Sequence, residues 1–403
     1  PGDSAQYSTS AVVADLNGDA NPDVYVVNYL AGSDLFTKTC GDPQRPRSCL
    51  PHEFAAAEDH LLLNLGTGEF EDVTSDAGVD AGGGKGLGVV AADFDGEGSL
   101  SLFVANDVSP NFLYVNRTAG SGGRLAFQER GLSSGVALNG NGRQESSMGV
   151  AAGDVDGDGR VDLFVTNFDN ETNTLYLQTD KMLFVDATAR SGLADKTLPL
   201  LGWGTQFLDA DLDGWLDLLL TNGHINDLRD HGKPYQMPPQ FFRNQGGGRF
   251  TEFAAESLGP FFSQWRLGRG LARIDWNRDG LDDAVISHLD APAALLTNTS
   301  AETGRALAVR LVGVHSSRDA IGATLTARVG TRTLVRQLTA GDGNQCSNER
   351  RLILGLGEAA DVDRLEVRWP SGRKQQFAHL LAGTDITLVE GRNQPVLIRH
   401  TEP

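Results

Sequence analysis

The chain has 403 residues, 40% of them hydrophobic and 22% charged, which is typical of a folded protein and excludes a mainly disordered chain. Its length suggests two structural units, and its formal net charge of −19 argues against a nucleic-acid partner, because phosphate contacts need clustered Lys and Arg. No apolar stretch approaches the roughly 20 residues that cross a bilayer, so we expect no membrane span.

An acidic nine-residue motif first appears at residues 15–23 and returns at 93–101, 154–162, 209–217 and 275–283. Each copy is followed by a short β-prone run, at 24–27, 102–105, 163–166, 218–221 and 284–287, and then by a second run. In four of the units a third run begins with Phe70, Phe127, Phe184 or Phe250. Four short strands that recur at intervals of roughly 60 residues predict the blades of a β-propeller.

Oxygen-bearing residues alternate along the motif, which predicts a cage for a hard cation such as Ca²⁺. The expected ligands are the side chains at positions 1, 3, 5 and 9 and the backbone carbonyl at position 7. They are Asp15, Asn17, Asp19, Asn21 and Asp23; Asp93, Asp95, Glu97 and Ser99; Asp154, Asp156, Asp158, Arg160 and Asp162; Asp209, Asp211, Asp213, Trp215 and Asp217; and Asp275, Asn277, Asp279, Leu281 and Asp283. Solvated turns without an ion are the alternative, and this alternative is strongest for the second loop, where Ser101 replaces the last Asp.

An EF-hand begins with a similar pattern but needs a Glu at the twelfth position and flanking helices. Position 12 is Val26, Val104, Val165, Leu220 or Ile286, and each of these apolar residues lies in a β-prone run, so the EF-hand is excluded. We expect about five structural Ca²⁺ ions, one for each loop. Mg²⁺ fits less well, because it prefers strict octahedral geometry and retained water.

Two of the three cysteines, Cys40 and Cys49, lie close together in a loop rich in Pro and Gly. We expect a disulfide between them, and therefore an extracellular or periplasmic location. A zinc site that also uses His52 and His60 is the alternative, although the spacing matches no common zinc pattern. Cys346 is left over and is expected to be a free thiol.

The five motifs, with Gly upstream at Gly88, Gly149, Gly204 and Gly270, resemble the FG-GAP (VCBS-type) repeats of integrin-like propellers. The C-terminal stretches 318–323, 354–357 and 367–372 resemble the ASPIC/UnbV domain. Together the chain resembles the cartilage-acidic-protein family, which is widespread in bacteria, over nearly all of residues 10–391. The resemblance implies an all-β fold, a calcium-binding propeller and a C-terminal β-rich domain, and it implies little about activity.

Five motif-bearing units fit before residue 304. We predict a calcium-binding β-propeller over residues 1–304, an ASPIC/UnbV-like β domain over 305–392 and a tail over 393–403. Five blades with a separate C-terminal domain is the preferred architecture, and seven blades is the alternative. The last unit lacks the Phe-led run, so 307–311 is either its outer strand or the start of the next domain.

The order of the runs places the acidic loops on one face of the propeller and two long insertions, 29–58 and 223–239, on the other. The residues just upstream of each inner strand join the insertions there and are expected to line a central funnel. The predicted ligand-binding residues are Tyr7, Lys85, Glu145, Trp203, His224, Arg266 and Arg269. The alternative is that they are ordinary packing residues.

Two functions fit this pattern. The first is a secreted, monomeric, calcium-stabilised propeller that binds a protein, a glycan or a small molecule on the face away from calcium, with an integrin-like adhesion role as a variant. The second, implied by the UnbV resemblance, is an enzyme of bacterial secondary metabolism. In that case His224, Glu145 and Arg266 are the acid–base and anion-holding candidates, with Asp227 beside His224. A structural turn is the simpler explanation of the His224 loop, and no common catalytic motif is present.

Overall fold

The computed structural model describes residues 6–301 and 303–398. The fold is all-β, as predicted, and helices are confined to single turns. These are the α-helical turns Thr74–Ala77, Gly131–Ser134, Ala194–Thr197 and Ala255–Leu258 and the 3₁₀ turns Pro51–Glu53 and Arg229–His231. Within the described ranges, no helix has the length and apolar character needed to cross a bilayer.

Five antiparallel sheets follow one another along residues 8–296, and we number them in chain order. Their strands are Ser8–Ala14, Asp23–Asn28, His60–Asn64 and Phe70–Asp72 in sheet 1; Gly86–Ala92, Ser101–Asn106, Phe112–Asn116 and Phe127–Glu129 in sheet 2; Val150–Gly153, Asp162–Val165, Thr174–Asp180 and Leu183–Asp186 in sheet 3; Gly202–Leu208, Asp217–Asn222, Gln240–Asn244 and Phe250–Glu252 in sheet 4; and Gly268–Ile274, Asp283–His288 and Ala294–Leu296 in sheet 5. Each acidic motif connects the first and second strands of its sheet. The predicted repeat is therefore a repeat of sheets.

The first strand of each sheet is the inner one, because the first strands of successive sheets contact one another from sheet 1 to sheet 5. Apolar side chains fill the space between neighbouring sheets. Val90 and Phe103 of sheet 2, for example, share a core with Val150 and Phe184 of sheet 3. This is the arrangement of propeller blades, and the number of blades stays a prediction.

Sheet 5 has three strands, whereas each of the other four has four. Residues 307–311 belong to the strand Arg305–Val312, which pairs with Leu352–Gly357 and Thr384–Val389 of the C-terminal region. The run is therefore the start of the next unit and not the outer strand of sheet 5.

The C-terminal region consists of two four-stranded sheets. Their strands are Arg305–Val312, Leu352–Gly357, Thr384–Val389 and Val396–Ile398 in one, and Thr324–Val329, Arg332–Gln337, Asp361–Arg368 and Lys374–Leu381 in the other. Both sheets contribute to a single apolar core around the fully buried Trp369. One shared core favours a separate β domain over two further blades.

The predicted tail over 393–403 is wrong in part. Val396–Ile398 forms a strand that pairs with Thr384–Val389, so the chain is still part of a sheet there. The remaining tail residues, 399–403, lie outside the described residues.

The insertion 29–58 carries two short hairpins, one that pairs Leu30–Ala31 with Ala55–Ala56 and one that pairs Cys40–Asp42 with Arg45–Arg47. The predicted disulfide between Cys40 and Cys49 is present. Both sulfurs are used in it, so the zinc alternative is wrong. Cys346 is free, as expected.

Candidate metal centres and the opposite face

The acidic loops turn sharply because the first Asp of each loop accepts backbone N–H groups from its own loop. In the third loop the Asp154 carboxylate accepts the N–H groups of Gly157 at 2.8 Å and Gly159 at 3.0 Å. These glycines have φ values of 81° and 88°, a left-handed conformation that favours Gly. The last Asp, Asp162, accepts the N–H of Gln178 at 2.9 Å, which ties the loop to the third strand of the sheet.

Three carboxylates converge in the third loop and three in the fourth, with oxygens within 4.8 Å of one another. The two groups are Asp154, Asp156 and Asp162, and Asp209, Asp211 and Asp213. Burial raises the pKa of Asp154 to about 6 and that of Asp209 to about 7. The surrounding hydrogen bonds and arginines therefore do not fully offset the cost of burying these two negative charges. One oxygen of Asp209, Oδ1, is buried without a hydrogen-bond partner. A hard cation would satisfy that oxygen and the clustered charge, so these two loops fit Ca²⁺.

The second loop already has a counter-ion from the protein. Arg368 of the C-terminal domain forms a salt bridge with the fully buried side chain of Asp93. The side chain of Gln337 binds the backbone of Asp93. It accepts the Asp93 N–H at 2.7 Å and donates to the Asp93 carbonyl at 3.1 Å. Glu97 faces outward and pairs with Lys181. The arginine balances one charge of this loop, but Oδ1 of Asp93 is buried without a hydrogen-bond partner, as is Oδ1 of Asp209. A cation held by Asp93, Asp95, Glu97 and the Ser99 carbonyl stays a prediction.

The first and fifth loops are intermediate cases. In both, the residue at position 3 is Asn, and its side-chain amide donates to the Asp at position 5, from Asn17 to Asp19 at 3.3 Å and from Asn277 to Asp279 at 2.8 Å. In the fifth loop the Arg351 guanidinium lies 3.7 Å from the first Asp. Calcium at these two loops stays a prediction.

Arginines of the C-terminal domain cover the fourth loop as well as the second. The buried Arg336 lies 3.8 Å from Asp209 and donates to the carbonyl of Gly214 at 3.1 Å. Arg332 donates to the carbonyl of Asp213 at 2.7 Å and stacks over Trp215 at 5.2 Å from the ring centre. The face that carries the acidic loops is therefore an interface between the propeller-like sheets and the C-terminal domain.

The segment 339–349 of the C-terminal domain continues along the inner strands of the sheets. Ala340 forms a β-bridge with Ala91 of sheet 2, and Gly343 forms one with Val150 of sheet 3. Further along, Asn348 bonds to Gln206 of sheet 4 at 2.9 Å and accepts a backbone N–H of sheet 5 at 2.8 Å. One short segment thus joins the inner strands of four sheets.

The two long insertions meet on the opposite face. The Ser48 N–H donates to the side chain of Asn226 at 3.2 Å. Lys85, which precedes the inner strand of sheet 2, donates from Nζ to the carbonyl of Pro51 at 2.7 Å. Lys85 therefore anchors the first insertion.

Apolar side chains fill the centre of this face. Leu87, Met148, Leu201 and Met237 form a buried cluster, and Tyr29, Phe168 and Trp203 pack against it. An open central funnel is not seen at this cluster, because Leu87, Met148 and Leu201 at the starts of three inner strands and Met237 of the second insertion pack together there.

Glu145 lies beneath this face and not on the wall of a funnel. Its side chain is buried, and its carboxylate accepts hydrogen bonds from Asn139 at 2.9 Å, Asn167 at 2.9 Å and Thr174 at 2.6 Å. Burial raises the pKa of Glu145 to about 7. Its contacts tie the loops of sheets 2 and 3 together, and its predicted role in ligand binding stays a prediction.

His224 is also buried, and its partners differ from the predicted one. Its Nε2 lies 3.6 Å from Asp169, which forms a salt bridge with Lys233. Asp227, the expected partner, is on the surface, where an arginine two residues away lowers its pKa to about 2. Sequence reasoning missed Asp169 because it belongs to sheet 3, and no nearby residue indicates that it contacts the insertion 223–239 of sheet 4.

Trp203 and Arg269 hold the start of the second insertion. The Arg269 guanidinium stacks over the Trp203 ring at 4.2 Å. Both side chains donate to the carbonyl of Gly223, from Nε1 of Trp203 at 2.8 Å and from Nη1 of Arg269 at 3.3 Å. Arg266 pairs through its backbone with Met237 and donates from its side chain to Gln264 at 3.0 Å. These contacts support the alternative that the mouth residues are packing residues.

Exposed aromatic side chains lie at the edge of the face, beside the disulfide-closed insertion. Tyr7 is 41% exposed and Phe36 is 66% exposed, and their ring centres are 5.8 Å apart. Tyr29 packs against Tyr7 at 5.5 Å. Leu50 is 40% exposed on the same insertion. We call Tyr7, Tyr29 and Phe36 the aromatic patch.

Comparison with known proteins matches residues 313–395 to the ASPIC and UnbV family and residues 154–220 to the FG-GAP-like repeat. Cartilage acidic protein 1 of Homo sapiens is 25% identical over 375 residues, which cover 90% of this chain and 50% of that protein. The protein of the same name from Xenopus tropicalis is 24% identical over 378 residues, with coverages of 90% and 52%. The chain spans about half the length of the curated relatives it matches.

Among solved structures, rhamnogalacturonan lyase YesW aligns with 96% of this chain and 62% of its own, at 15% identity and a TM-score of 0.35. The two family matches and the relatives that align with most of the chain confirm the resemblance seen in the sequence. The chain is thus similar to the cartilage acidic proteins, with an FG-GAP-like repeat and a C-terminal segment that matches the ASPIC and UnbV family.

Proposed function

We propose that this chain is a secreted, calcium-stabilised β-propeller protein that binds a ligand through the face carrying the two insertions. The observation that carries the binding function is the aromatic patch, in which Tyr7 and Phe36 expose their rings on that face. Exposed aromatic clusters are typical of surfaces that recognise proteins or sugars, because a ring buries a large area at small entropic cost. The disulfide supports an oxidising, extracellular or periplasmic location.

Calcium has a structural role in this proposal. The third and fourth loops would hold it through Asp154, Asp156 and Asp162 and through Asp209, Asp211 and Asp213. A cation there neutralises carboxylates that burial otherwise drives towards the protonated form. Because the cage exists only in the folded chain, bound Ca²⁺ stabilises the fold by mass action.

The enzyme alternative is less well supported. Glu145 and His224 are both buried, and Glu145 is fully engaged by three side chains of its own surroundings. Neither side chain is placed to reach a substrate on the surface. We therefore favour binding of a protein, glycan or small molecule over catalysis.

The test compares the unaltered chain with a Tyr7→Ser/Phe36→Ser double variant on a glycan array and on an array of purified extracellular proteins. We expect the double variant to lose at least roughly ten-fold in the binding signal, with an unchanged melting temperature, because exposed side chains contribute little to folding. Leu132→Ser is the matched control, since Leu132 is 73% exposed in the turn that follows the outer strand of sheet 2. Equal binding by the double variant would contradict the proposal.

A further inference from the structure

The outer edge of sheet 5 is open in the part of the chain that the structure describes. Its third strand, Ala294–Leu296, pairs on one side with Asp283–His288 and has no strand on the other. The strand is nevertheless in register with its counterparts. The Asn298 N–H donates to Asp283 at 2.7 Å, as the Asn244 N–H donates to Asp217 in sheet 4 at 2.8 Å.

A repeated contact shows what normally lies at this position. The glycine after each of the first three outer strands lies against the backbone carbonyl of a Phe in the outer strand of the next sheet. The pairs are Gly78 and Phe127, Gly135 and Phe184, and Gly192 and Phe250. Gly259 is the equivalent glycine after sheet 4, and no atom lies within 4 Å of its Cβ position. Sheet 4 thus supplies the glycine of this contact, but sheet 5 has no Phe-led outer strand to lie against it.

A cavity of about 400 Å³ lies where that strand would run. Its apolar wall includes Leu219, Phe241, Phe253, Phe262 and Leu296. Its polar wall holds four carboxylates and one guanidinium, those of Asp211, Asp217, Asp282, Asp283 and Arg243. The cavity therefore suits an aromatic side chain with a basic neighbour better than one with an acidic neighbour.

We propose that this edge binds an extended segment of a partner protein, which adds a fourth strand to sheet 5 and places a phenylalanine in the cavity. The expected partner segment resembles the Phe-led outer strands of the other four sheets. Its backbone would lie against Gly259, as the outer strands of sheets 2, 3 and 4 lie against Gly78, Gly135 and Gly192. Pairing of an incoming strand with an open edge is a common mode of peptide recognition. The site is separate from the aromatic patch, and its polar wall shares Asp211 with the proposed cation site of the fourth loop.

The backbone groups for this pairing are available at Leu295. In sheet 1 the Leu61 N–H is bound by the Thr74 hydroxyl at 2.9 Å, and the Leu61 carbonyl accepts the N–H of Val73 at 2.9 Å. Leu295 holds the position of Leu61, three residues before the Asn that ends the unit. Its outward N–H and carbonyl point towards the open edge and can pair with the incoming strand in the same way.

The experiment uses a fluorescent peptide with the sequence of residues 248–254, which contains the outer strand of sheet 4 and carries Arg249 directly before Phe250. We expect saturable binding to the folded chain by fluorescence polarisation, with protection of the Leu295 and Thr297 amides from hydrogen exchange. Peptides with Phe250→Ser or Arg249→Glu should bind at least roughly ten-fold and three-fold more weakly, because they lose the aromatic insertion and the charge match.

Two variants of the chain test the position of binding. Leu295→Pro removes the outward N–H, which an edge strand tolerates, and Ser257→Trp fills the mouth of the cavity from an exposed position. Both should abolish peptide binding, whereas Phe36→Ser on the opposite face should not. If a variant melts early, the other decides. Unchanged binding by Ser257→Trp or by the Phe250→Ser peptide would overturn the proposal. A dimer that protects the same amides without peptide would overturn it too, because a second copy would then be the occupant.

Discussion

The second and fourth acidic loops share one nine-residue motif but meet different positive charges. At the second loop, Arg368 of the C-terminal domain pairs with the buried Asp93. At the fourth loop, Arg336 stays 3.8 Å from Asp209, and Arg243 instead pairs with Asp211 and Asp213, whose carboxylates cluster with that of Asp209. A buried carboxylate needs a counter-charge, which an arginine supplies to the first Asp of the second loop; for the first Asp of the fourth loop we propose that a metal ion supplies it.

The largest expected effect is that of calcium removal. Excess EDTA should lower the melting temperature by well over roughly 5 °C, and added Ca²⁺ should restore it, because the ions bind only the folded state. Differential scanning calorimetry with Mg²⁺ as the matched control measures this. An unchanged melting temperature, in protein shown to contain calcium before EDTA treatment and none after it, would reject structural calcium.

Among the single substitutions considered for the two loops, Arg368→Met should lower the free energy of unfolding most. It leaves the Asp93 carboxylate buried without its partner, which costs about 3–5 kcal/mol of unfolding free energy. The double variant Arg368→Met/Asp93→Asn should recover most of that loss, because it removes both charges. Denaturant unfolding in the presence of Ca²⁺ checks both. A mild effect of Arg368→Met that calcium abolishes would mean that the second loop also accepts an ion.

Without calcium, the fourth loop should make stability fall as pH rises. Burial raises the pKa of Asp209 to about 7, above its unfolded value. The protonated side chain therefore contributes to the free energy of unfolding in full below about pH 4, and this contribution is lost as the pH rises through about 7. Between pH 5 and 8 in EDTA this loss should amount to about 3 kcal/mol. Asp209→Asn mimics the protonated form and should remove this part of the pH dependence. Parallel pH profiles for the two proteins would show that Asp209 is not the titrating group.

The smallest predicted effect comes from single substitutions at the same position of the third and second loops. Asp156→Ala should remove one Ca²⁺ per chain and cost about 2 kcal/mol at saturating calcium. Asp95→Ala occupies the same position of the second loop and should leave the calcium content unchanged. Metal analysis after gel filtration, together with thermal melting, gives both numbers. Loss of an ion in Asp95→Ala would erase the distinction between the loops.

Features that depend on residues near one another in the chain could be predicted from the sequence. The five motifs fixed the first and second strands of each sheet, and the disulfide followed from two cysteines in one loop. Contacts between distant residues carried no such signal. The pairing of Asp93 with Arg368 joins residues 275 positions apart, and His224 meets Asp169 of the preceding sheet. Nor could spacing reveal that Leu87 and Met148 fill the expected funnel, because an apolar residue before an inner strand looks the same in either case.

The segment 339–349 has a consequence for how this protein is made. It joins the inner strands of sheets 2 and 3 through Ala340 and Gly343, at a sequence separation of roughly 200–250 residues. During translation the first sheets therefore emerge well before the segment that completes their centre has left the ribosome. Until then their inner edges stay unsatisfied and prone to aggregation, so a nascent chain that lacks the C-terminal domain should depend on chaperones far more than the finished one.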